Sequence, residues 1–255
     1  MILAIDIGNT HIVLGGIENG TIRFEARLTT DALKTVDEYQ FSIMNILSLY
    51  GVEPAALEGT IISSVVPPVL SSIRTAACAM TGRQPLVVGP GMKTGLNIHV
   101  DNPKQVGSDL IVAGVAGVHT YGAPLILIDL GTATTLSVID QSPAFLGCCI
   151  CPGVSVSLEA LTSRTAQLPG ISLEPPRKAI GKNTVDSMRS GILLGTAAML
   201  DGMIDRLEEE LGQKTTVVGT GGIARHIIPL CRRPIQIDNS LILRGLDILY
   251  HNNVR

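Results

Sequence analysis

The sequence contains no tryptophan and few aromatic residues, which make up 3% of its 255 residues. Charged residues are also scarce, at 16%, and the formal net charge is −3 at pH 7. Proteins that bind nucleic acid need clustered lysine and arginine for the phosphates, and many use aromatic rings on which the bases stack. Because this chain has neither a basic stripe nor a set of stacking rings, we expect no nucleic-acid partner.

Long apolar runs are missing as well, although hydrophobic residues make up 45% of the chain and its mean hydropathy is +0.38. A membrane-spanning helix needs roughly 20 consecutive apolar residues. The longest candidate, Gly191–Leu200, ends at Asp201. No basic segment precedes the first apolar run, as a secretory signal would require. We therefore expect a soluble, cytoplasmic protein with no membrane partner and a large packed core.

Cysteines are few, and their arrangement does not resemble a disulfide framework. Five are present, three of them clustered at Cys148, Cys149 and Cys151. An odd number argues against complete pairing, and the cluster lacks the second Cys or His pair of a structural zinc site. Because the cluster lies in an apolar run typical of a strand, we expect these side chains to pack in the core.

What the sequence does have is an apolar opening that predicts a buried strand and ends in polar residues. Asp6 closes the strand, and Gly8, Asn9 and Thr10 follow. A carboxylate is costly to bury without a cationic or hydrogen-bonding partner, while a glycine lets backbone N–H groups approach a ligand closely. This group suits a phosphate with its metal ion. Taken alone, it is more typical of the tight turn of a β-hairpin.

The same pattern recurs about half of the chain later, where Ile-Asp-Leu-Gly around Asp129 repeats Ile-Asp-Ile-Gly around Asp6. Both copies follow an apolar strand and precede a hairpin. A repeat at half-length predicts an α/β fold of two similar lobes, residues 1–122 and 123–255. We expect the two acidic turns to face one cleft, where a polyphosphate is held from both sides.

Two further segments carry candidate binding residues. Ser108 and Asp109 precede an apolar helix, so Asp109 lies where the helix dipole favours an ionised carboxylate. Helix capping is the alternative, since both residues are common N-caps. Gly219-Thr-Gly-Gly222 follows a strand, and its glycines can let a nucleoside or a phosphate lie against the backbone. Its spacing is not that of the dinucleotide-binding fingerprint.

The acidic turn, its repeat and the late glycine turn together resemble the actin, hexokinase and acetate-kinase superfamily of two-lobed, ATP-using folds. Within that superfamily the chain resembles the type III pantothenate kinases. The motifs that carry this resemblance span nearly the whole chain, and they are Asp6–Thr10, Thr35–Tyr39, Ser63–Pro68, Asp101–Pro103, Val106–Asp109, Ile128–Thr135, Ser163–Arg164, Gly181–Thr184 and Gly219–Gly222.

The resemblance implies duplicated ribonuclease-H-like lobes, a homodimer, and transfer of the γ-phosphoryl group of ATP to the primary hydroxyl of pantothenate, the first step of coenzyme A synthesis. It implies Mg²⁺ bound with ATP at Asp6, a monovalent cation (K⁺ or NH₄⁺) at Asp129, and Asp109 as the catalytic base. The residues implied to bind ATP are Asp6, Ile7, Gly8, Asn9, Thr10, His11, Ile12, Val13, Thr132, Gly219, Gly221 and Gly222. Those implied to bind pantothenate are Val100, Gly107, Ser108, Asp109, Leu110 and Thr184.

The chain departs from the family pattern at two of these positions. The family usually has arginine where Leu110 stands and tyrosine where Val100 stands. A guanidinium and an aromatic wall near the acceptor are therefore missing. The alternatives are a kinase of the same fold that acts on another small alcohol, and a divergent nucleotide-binding regulator.

Overall fold

The computed structural model describes residues 1–254, and these fold as two compact units. The first unit is formed by Met1–Leu96, Asn102–Ala116 and the segment that begins at Ser240. The second is formed by Asn97–Asp101 and Gly117–Asn239. The sequence predicted a single boundary after residue 122. The compact units are instead discontinuous in the chain, because the last helix packs on the N-terminal sheet.

Eleven strands and eight α-helices make up the described chain. The strands are β1 (Ile2–Ile7), β2 (His11–Glu18), β3 (Thr21–Thr29), β4 (Gly59–Ser64), β5 (Leu86–Val87), β6 (Asn97–Ile98), β7 (Leu125–Leu130), β8 (Ala133–Ile139), β9 (Ala144–Pro152), β10 (Thr216–Thr220) and β11 (Gln236–Ile237). The helices are α1 (Val36–Leu49), α2 (Pro67–Thr81), α3 (Ser108–Tyr121), α4 (Val154–Arg164), α5 (Thr184–Arg189), α6 (Gly195–Leu211), α7 (Ala224–Ile227) and α8 (Leu241–Asn253). Among residues 1–254, no helix is both long and apolar enough to cross a membrane.

The two units are built on mixed sheets with the same strand order. The first sheet runs β3-β2-β1-β4-β5, and the second runs β9-β8-β7-β10-β11 with β6 added beside β9. In each sheet the acid-bearing strand, β1 or β7, pairs antiparallel with the next strand of its hairpin and parallel with a later strand, β4 or β10. The predicted α/β fold with a duplicated sheet is confirmed.

The central strands β1 and β7 have the same burial pattern. Four buried residues are followed by a half-buried aspartate, Asp6 or Asp129, and then by a buried residue. Strands covered on both faces are apolar at nearly every position. The aspartate, which stands next to the last residue of each strand, is therefore the one exception to this apolar pattern.

Most helix boundaries follow from local sequence signals. Thr35 forms a capping box at the start of α1: its side chain accepts a hydrogen bond from Glu38 N, and the Glu38 carboxylate accepts one from Thr35 N at 2.8 Å. Gly212 ends α6 in the left-handed conformation, with φ of 71°. The helical stretch from Thr184 to Leu211 is interrupted by a π-helical segment, Ser190–Leu194. No residue pattern in that segment distinguishes it from a continuous helix.

The cysteine cluster packs in the core only in part. Cys149 lies against the core of the second unit, whereas Cys148 is exposed. Successive residues of a strand point to opposite faces, so Cys148 on β9 points away from the core that Cys149 faces. The expectation of core packing is therefore wrong for Cys148.

A buried carboxylate, Glu208 near the end of α6, joins the helix to two other segments of the second unit. Its Oε2 accepts hydrogen bonds from Lys214 Nζ at 2.8 Å and from Arg233 at 2.7 Å. Its Oε1 accepts from the backbone N–H of Thr215 at 3.0 Å. Burial by itself raises the pKa of this carboxyl, but the hydrogen bonds outweigh it and lower the pKa to about 2.

We expect Glu208→Gln to lower the free energy of unfolding by about 3 kcal/mol at pH 7, because a carboxylate with a depressed pKa stabilises the folded state when ionised. The contribution is present above the usual glutamate pKa of 4.5 and is lost as the pH falls from there towards 2. Urea unfolding at pH 7 and at pH 3 measures it. The matched control is Glu209→Gln, at an exposed neighbour. An equal effect of both variants at pH 7 would contradict the assignment.

Candidate active site

The hairpin turn between β1 and β2 presents polar groups at the end of the first central strand. Gly8 N–H donates to His11 O at 3.0 Å, which closes the turn and leaves Asn9 and Thr10 exposed. The Thr30 hydroxyl donates to Gly8 O at 2.7 Å and holds the turn from the side. The predicted Asp-x-Gly turn is therefore a hairpin, and its exposed groups can still meet a ligand.

A chain of three serines links this turn to the start of α3. Ser63 on β4 is the register partner of Asp6 on β1, and its hydroxyl lies 3.0 Å from the hydroxyl of Ser108. The Ser108 hydroxyl also accepts from Ser64 N and donates to Ser64 O, both at 3.0 Å. Ser108 thus fixes the first residue of α3 at the carboxyl end of β4. As a result, Asp109 is held at the sheet edge where Asp6 lies.

Asp109 is partly withdrawn from solvent at this edge. Burial raises the pKa of its carboxyl, and the N–H groups of Leu110 and of Asp109 itself oppose that shift. Leu110 N–H donates to Asp109 Oδ1 at 2.9 Å. A Cβ at Gly107 would collide with that oxygen, so the glycine makes room for the carboxylate. A carboxylate of raised pKa is the stronger base, and this arrangement suits the acceptance of a hydroxyl proton.

In the second unit, Asp129, the counterpart of Asp6, lies against the glycine turn that follows β10. Asp129 is the register partner of Thr220, and Gly221 comes directly after it. Gly221 has φ of 100°, and a Cβ there would lie 2.6 Å from Asp129 Oδ1 and 2.6 Å from Leu130 O. Only glycine fits this conformation and this contact. The structure thus brings together two motifs that the sequence could only place separately.

Backbone hydrogen bonds hold in place the two turns that lie beside Asp129, the turn after β7 and the glycine turn after β10. Gly153 N–H donates to Thr132 O at 3.2 Å, which joins the start of α4 to the turn after β7. Asp238 N–H donates to Gly219 O at 2.9 Å, and the Asp238 carboxylate accepts from the hydroxyl of Tyr121 at 2.8 Å. The glycine turn is therefore braced from β11, by residues that the sequence analysis did not identify.

The remaining predicted site residues differ in how far their side chains are exposed to solvent. Ile7 and Ile12 are fully buried in the core of the first unit, so only their backbone can meet a ligand. Val13 and Leu110 are partly buried, and His11 is exposed. In the second unit, Thr184 is exposed at the start of α5, Val100 is partly exposed beyond β6, and Gly222 is exposed in the glycine turn.

Sequence reasoning missed Thr30, Tyr121 and Asp238, and it identified Ser63 and Ser64 only as part of the motif Ser63–Pro68, without their role in connecting the site motifs. Ser63 and Ser64 do carry a signal, because two hydroxyl side chains end an otherwise apolar strand. The partner of that pair, Ser108, lies on a distant segment, and only the fold shows the contact. Tyr121 and Asp238 have no comparable local signal.

Two α/β units with one shared strand order, each with an aspartate near the carboxyl end of its central strand, define the class of duplicated α/β folds. The solved structure of a Baf family transcriptional activator from Campylobacter jejuni has this fold, with a TM-score of 0.61 and 16% identity over 98% of this chain and 97% of that one. An inorganic polyphosphate/ATP-glucomannokinase from Arthrobacter sp. strain KM matches with a TM-score of 0.51 and 16% identity over 99% of each chain.

The chain belongs to the type III pantothenate kinase family. The family model, described as type III pantothenate kinase, matches residues 2–206. A type III pantothenate kinase of Exiguobacterium sp. (strain ATCC BAA-1283 / AT1b) is 44% identical over 253 residues, which cover 99% of each chain. The family predicted from the motifs is thereby confirmed.

Proposed function

We propose that the chain transfers the γ-phosphoryl group of ATP to the primary hydroxyl of pantothenate and forms 4′-phosphopantothenate for coenzyme A synthesis. The observation that carries the proposal is the contact between Ser63 and Ser108, which holds Asp109 at the same sheet edge as Asp6. Asp109, a base for the acceptor hydroxyl, and Asp6, a carboxylate suited to phosphate-bound Mg²⁺, then belong to the same compact unit. Family membership supports pantothenate as the acceptor.

Asp109 is the residue that receives the proton of the pantothenate hydroxyl. Its raised pKa favours this role, and the hydroxyl of Ser108 keeps the start of α3 in place while it acts. Phosphoryl transfer passes through a loose transition state, so orientation of the hydroxyl matters more than strong proton abstraction. Gly107, Ser108 and Leu110 surround the acceptor through the backbone of the same turn.

The hairpin turn of the first unit binds the phosphates of ATP. Asn9, Thr10 and His11 offer exposed groups beside the half-buried Gly8. Ile7 and Ile12 contribute backbone only, and Val13 is partly buried. Mg²⁺ usually takes one or two carboxylates together with phosphate oxygens, and Asp6 fits that donor set. Residues 1–254 contain no group of three or more acids, cysteines or histidines placed to hold a metal ion without phosphate. Bound Mg²⁺ neutralises charge on the transferred phosphoryl group.

The second unit contributes the monovalent cation site and the nucleoside turn. Asp129 holds K⁺ or NH₄⁺, and Thr132 contacts ATP from the turn after β7. Gly219, Gly221 and Gly222 lie along the nucleoside. The close approach of Gly221 to the Asp129 carboxylate supports this grouping, because a cation at that carboxylate lies beside the turn that meets the nucleotide.

The active form is a homodimer in the cytoplasm, where ATP and pantothenate are available. Val100 and Thr184 belong to its acceptor site. Family membership supports the dimer and these two contacts.

A coupled assay of ADP release tests the proposal. ADP formation should require pantothenate, Mg²⁺ and K⁺ or NH₄⁺ together. If another small alcohol replaces pantothenate with a higher kcat/KM, the chain is a kinase of different specificity. Calorimetry with ATP and with pantothenate distinguishes a kinase from a nucleotide-binding regulator. A regulator would bind ATP but would neither bind nor phosphorylate pantothenate.

A further inference from the structure

Thr30, the residue that follows β3, holds two carbonyl groups of the hairpin turn between β1 and β2. Its hydroxyl donates to Gly8 O at 2.7 Å, and its backbone N–H donates to Thr10 O at 3.0 Å. Both carbonyls therefore point towards Thr30. A carbonyl oxygen carries partial negative charge, so a carbonyl that faced a bound phosphate would repel it.

The direction of these carbonyls also sets the direction of two backbone N–H groups. The peptide bonds of this turn are trans, and in a trans peptide the C=O and N–H bonds point in opposite directions. Because Gly8 O and Thr10 O point towards Thr30, the N–H groups that follow them point away from it. These N–H groups belong to Asn9 and His11, which are both exposed. Backbone N–H groups presented in this way suit an anion such as a phosphate.

Thr30 is anchored to the core of the first unit through the next residue in the chain. A single hydroxyl, that of Tyr39, accepts from Asp31 N at 3.0 Å and donates to Asp31 O at 2.8 Å. The Tyr39 side chain extends from α1 and is fully buried in the core of the first unit. Movement of Asp31 would leave the buried hydroxyl without its hydrogen bonds, which is costly. Tyr39 thereby fixes the position from which Thr30 holds the turn.

We propose that Thr30 is a positioning residue for the phosphates of ATP and that Tyr39 holds it in place. By keeping the carbonyls of Gly8 and Thr10 directed towards itself, Thr30 leaves the N–H groups of the turn to meet the phosphates. This inference rests on the proposed function, in which the hairpin turn binds ATP. It assigns Thr30 no contact with ATP and no part in the transfer step.

Thr30→Val tests the inference, since it removes the hydroxyl but keeps the shape and the backbone N–H of the residue. We expect the Kd for ATP with Mg²⁺, measured by calorimetry, to rise about fivefold to tenfold, as loss of one hydrogen bond predicts. Adenosine has no phosphate to meet the turn, so its Kd should change less than about twofold. Thr30→Ser keeps the hydroxyl and should bind ATP as the wild type does. The matched control is Thr21→Val, at an exposed threonine on the opposite end of β3, which should alter neither Kd.

Tyr39→Phe tests the anchor, because it removes only the hydroxyl that holds Asp31. We expect it to raise the Kd for ATP about threefold, and again to leave the Kd for adenosine unchanged. The effect of the double variant Thr30→Val/Tyr39→Phe should be smaller than the product of the two single effects, since both changes break one chain of contacts. A full product would show that Tyr39 does not act through Thr30.

Two results would overturn the role of Thr30. One is a Thr30→Val protein, shown to be folded by urea unfolding, that binds ATP as tightly as the wild type. The other is an equal loss of affinity for ATP and for adenosine. If Thr30→Val does not fold, the comparison of ATP with adenosine in Tyr39→Phe decides instead. Wild-type protein that binds ATP but does not phosphorylate pantothenate would contradict the proposed function and leave these comparisons intact, whereas absence of ATP binding would contradict both.

Discussion

Asp109→Asn should lower kcat for pantothenate phosphorylation by about 10²-fold to 10⁴-fold, the usual contribution of a general base. The amide keeps the size of the side chain and can still face the N–H of Leu110 through its oxygen. It cannot accept the hydroxyl proton. The affinity for ATP should change less than about threefold, because the tether through Ser63 and Ser108 does not involve the Asp109 side chain.

Steady-state kinetics and ATP calorimetry measure these two quantities. The matched control is Asp37→Asn, which removes an exposed aspartate from the first turn of another helix of the same unit. That variant should retain wild-type kcat. Turnover of Asp109→Asn within about tenfold of the wild type would contradict the role of Asp109 as the base.

The pH dependence of the activity is a further test of Asp109 as the base. Since burial raises the pKa of Asp109, wild-type activity should fall on the acid side at a pH above the usual aspartate pKa of 3.8. Only the ionised form accepts a proton, so activity rises as the pH increases through that pKa. In Asp109→Asn, the remaining activity should not show this acid limb.

Gly221→Ala should weaken ATP binding by about tenfold or more, since it disturbs the turn beside Asp129. The residue has φ of 100°, which is unfavourable for alanine, and the added Cβ would lie 2.6 Å from both Asp129 Oδ1 and Leu130 O. The neighbours are a backbone carbonyl and the carboxylate at the end of β7, so relief requires the turn to move. Calorimetry with ATP, Mg²⁺ and K⁺ measures the effect.

Gly202→Ala is the control for this substitution. Gly202 is exposed in α6, and no atom outside its own helix lies near the added Cβ. It should leave ATP affinity unchanged and stabilise the unit slightly, because alanine favours a helix over glycine. A folded Gly221→Ala protein with wild-type ATP affinity would show that the glycine turn does not meet the nucleotide.

The sequence was sufficient to predict the central strands, the acids at their ends and the duplication. These features depend on local patterns: an apolar run that stops at Asp6 and its repeat at Asp129. Asp109 was also placed correctly at the start of a helix. Each signal lies within a few residues of the feature that it predicts, which is why it could be recognised without the fold.

The contacts that assemble the site could not be predicted in this way. Ser63 meets Ser108 across 45 positions of the chain, and Tyr121 meets Asp238 across 117. Neither pair has a spacing that a helix or a strand imposes. The discontinuous make-up of the first unit has the same origin, since the C-terminal helix returns to pack on its sheet.

The central claim, phosphorylation of pantothenate at its primary hydroxyl, is tested most directly by identifying the product. The wild-type protein is incubated with ATP, Mg²⁺, K⁺ and pantothenate, and the product is examined by mass spectrometry and by phosphorus–proton NMR coupling. We expect one phosphate ester, coupled to the methylene protons of the former primary alcohol, formed in equal amount with ADP. Release of inorganic phosphate without this ester, or no reaction with pantothenate, would contradict the claim.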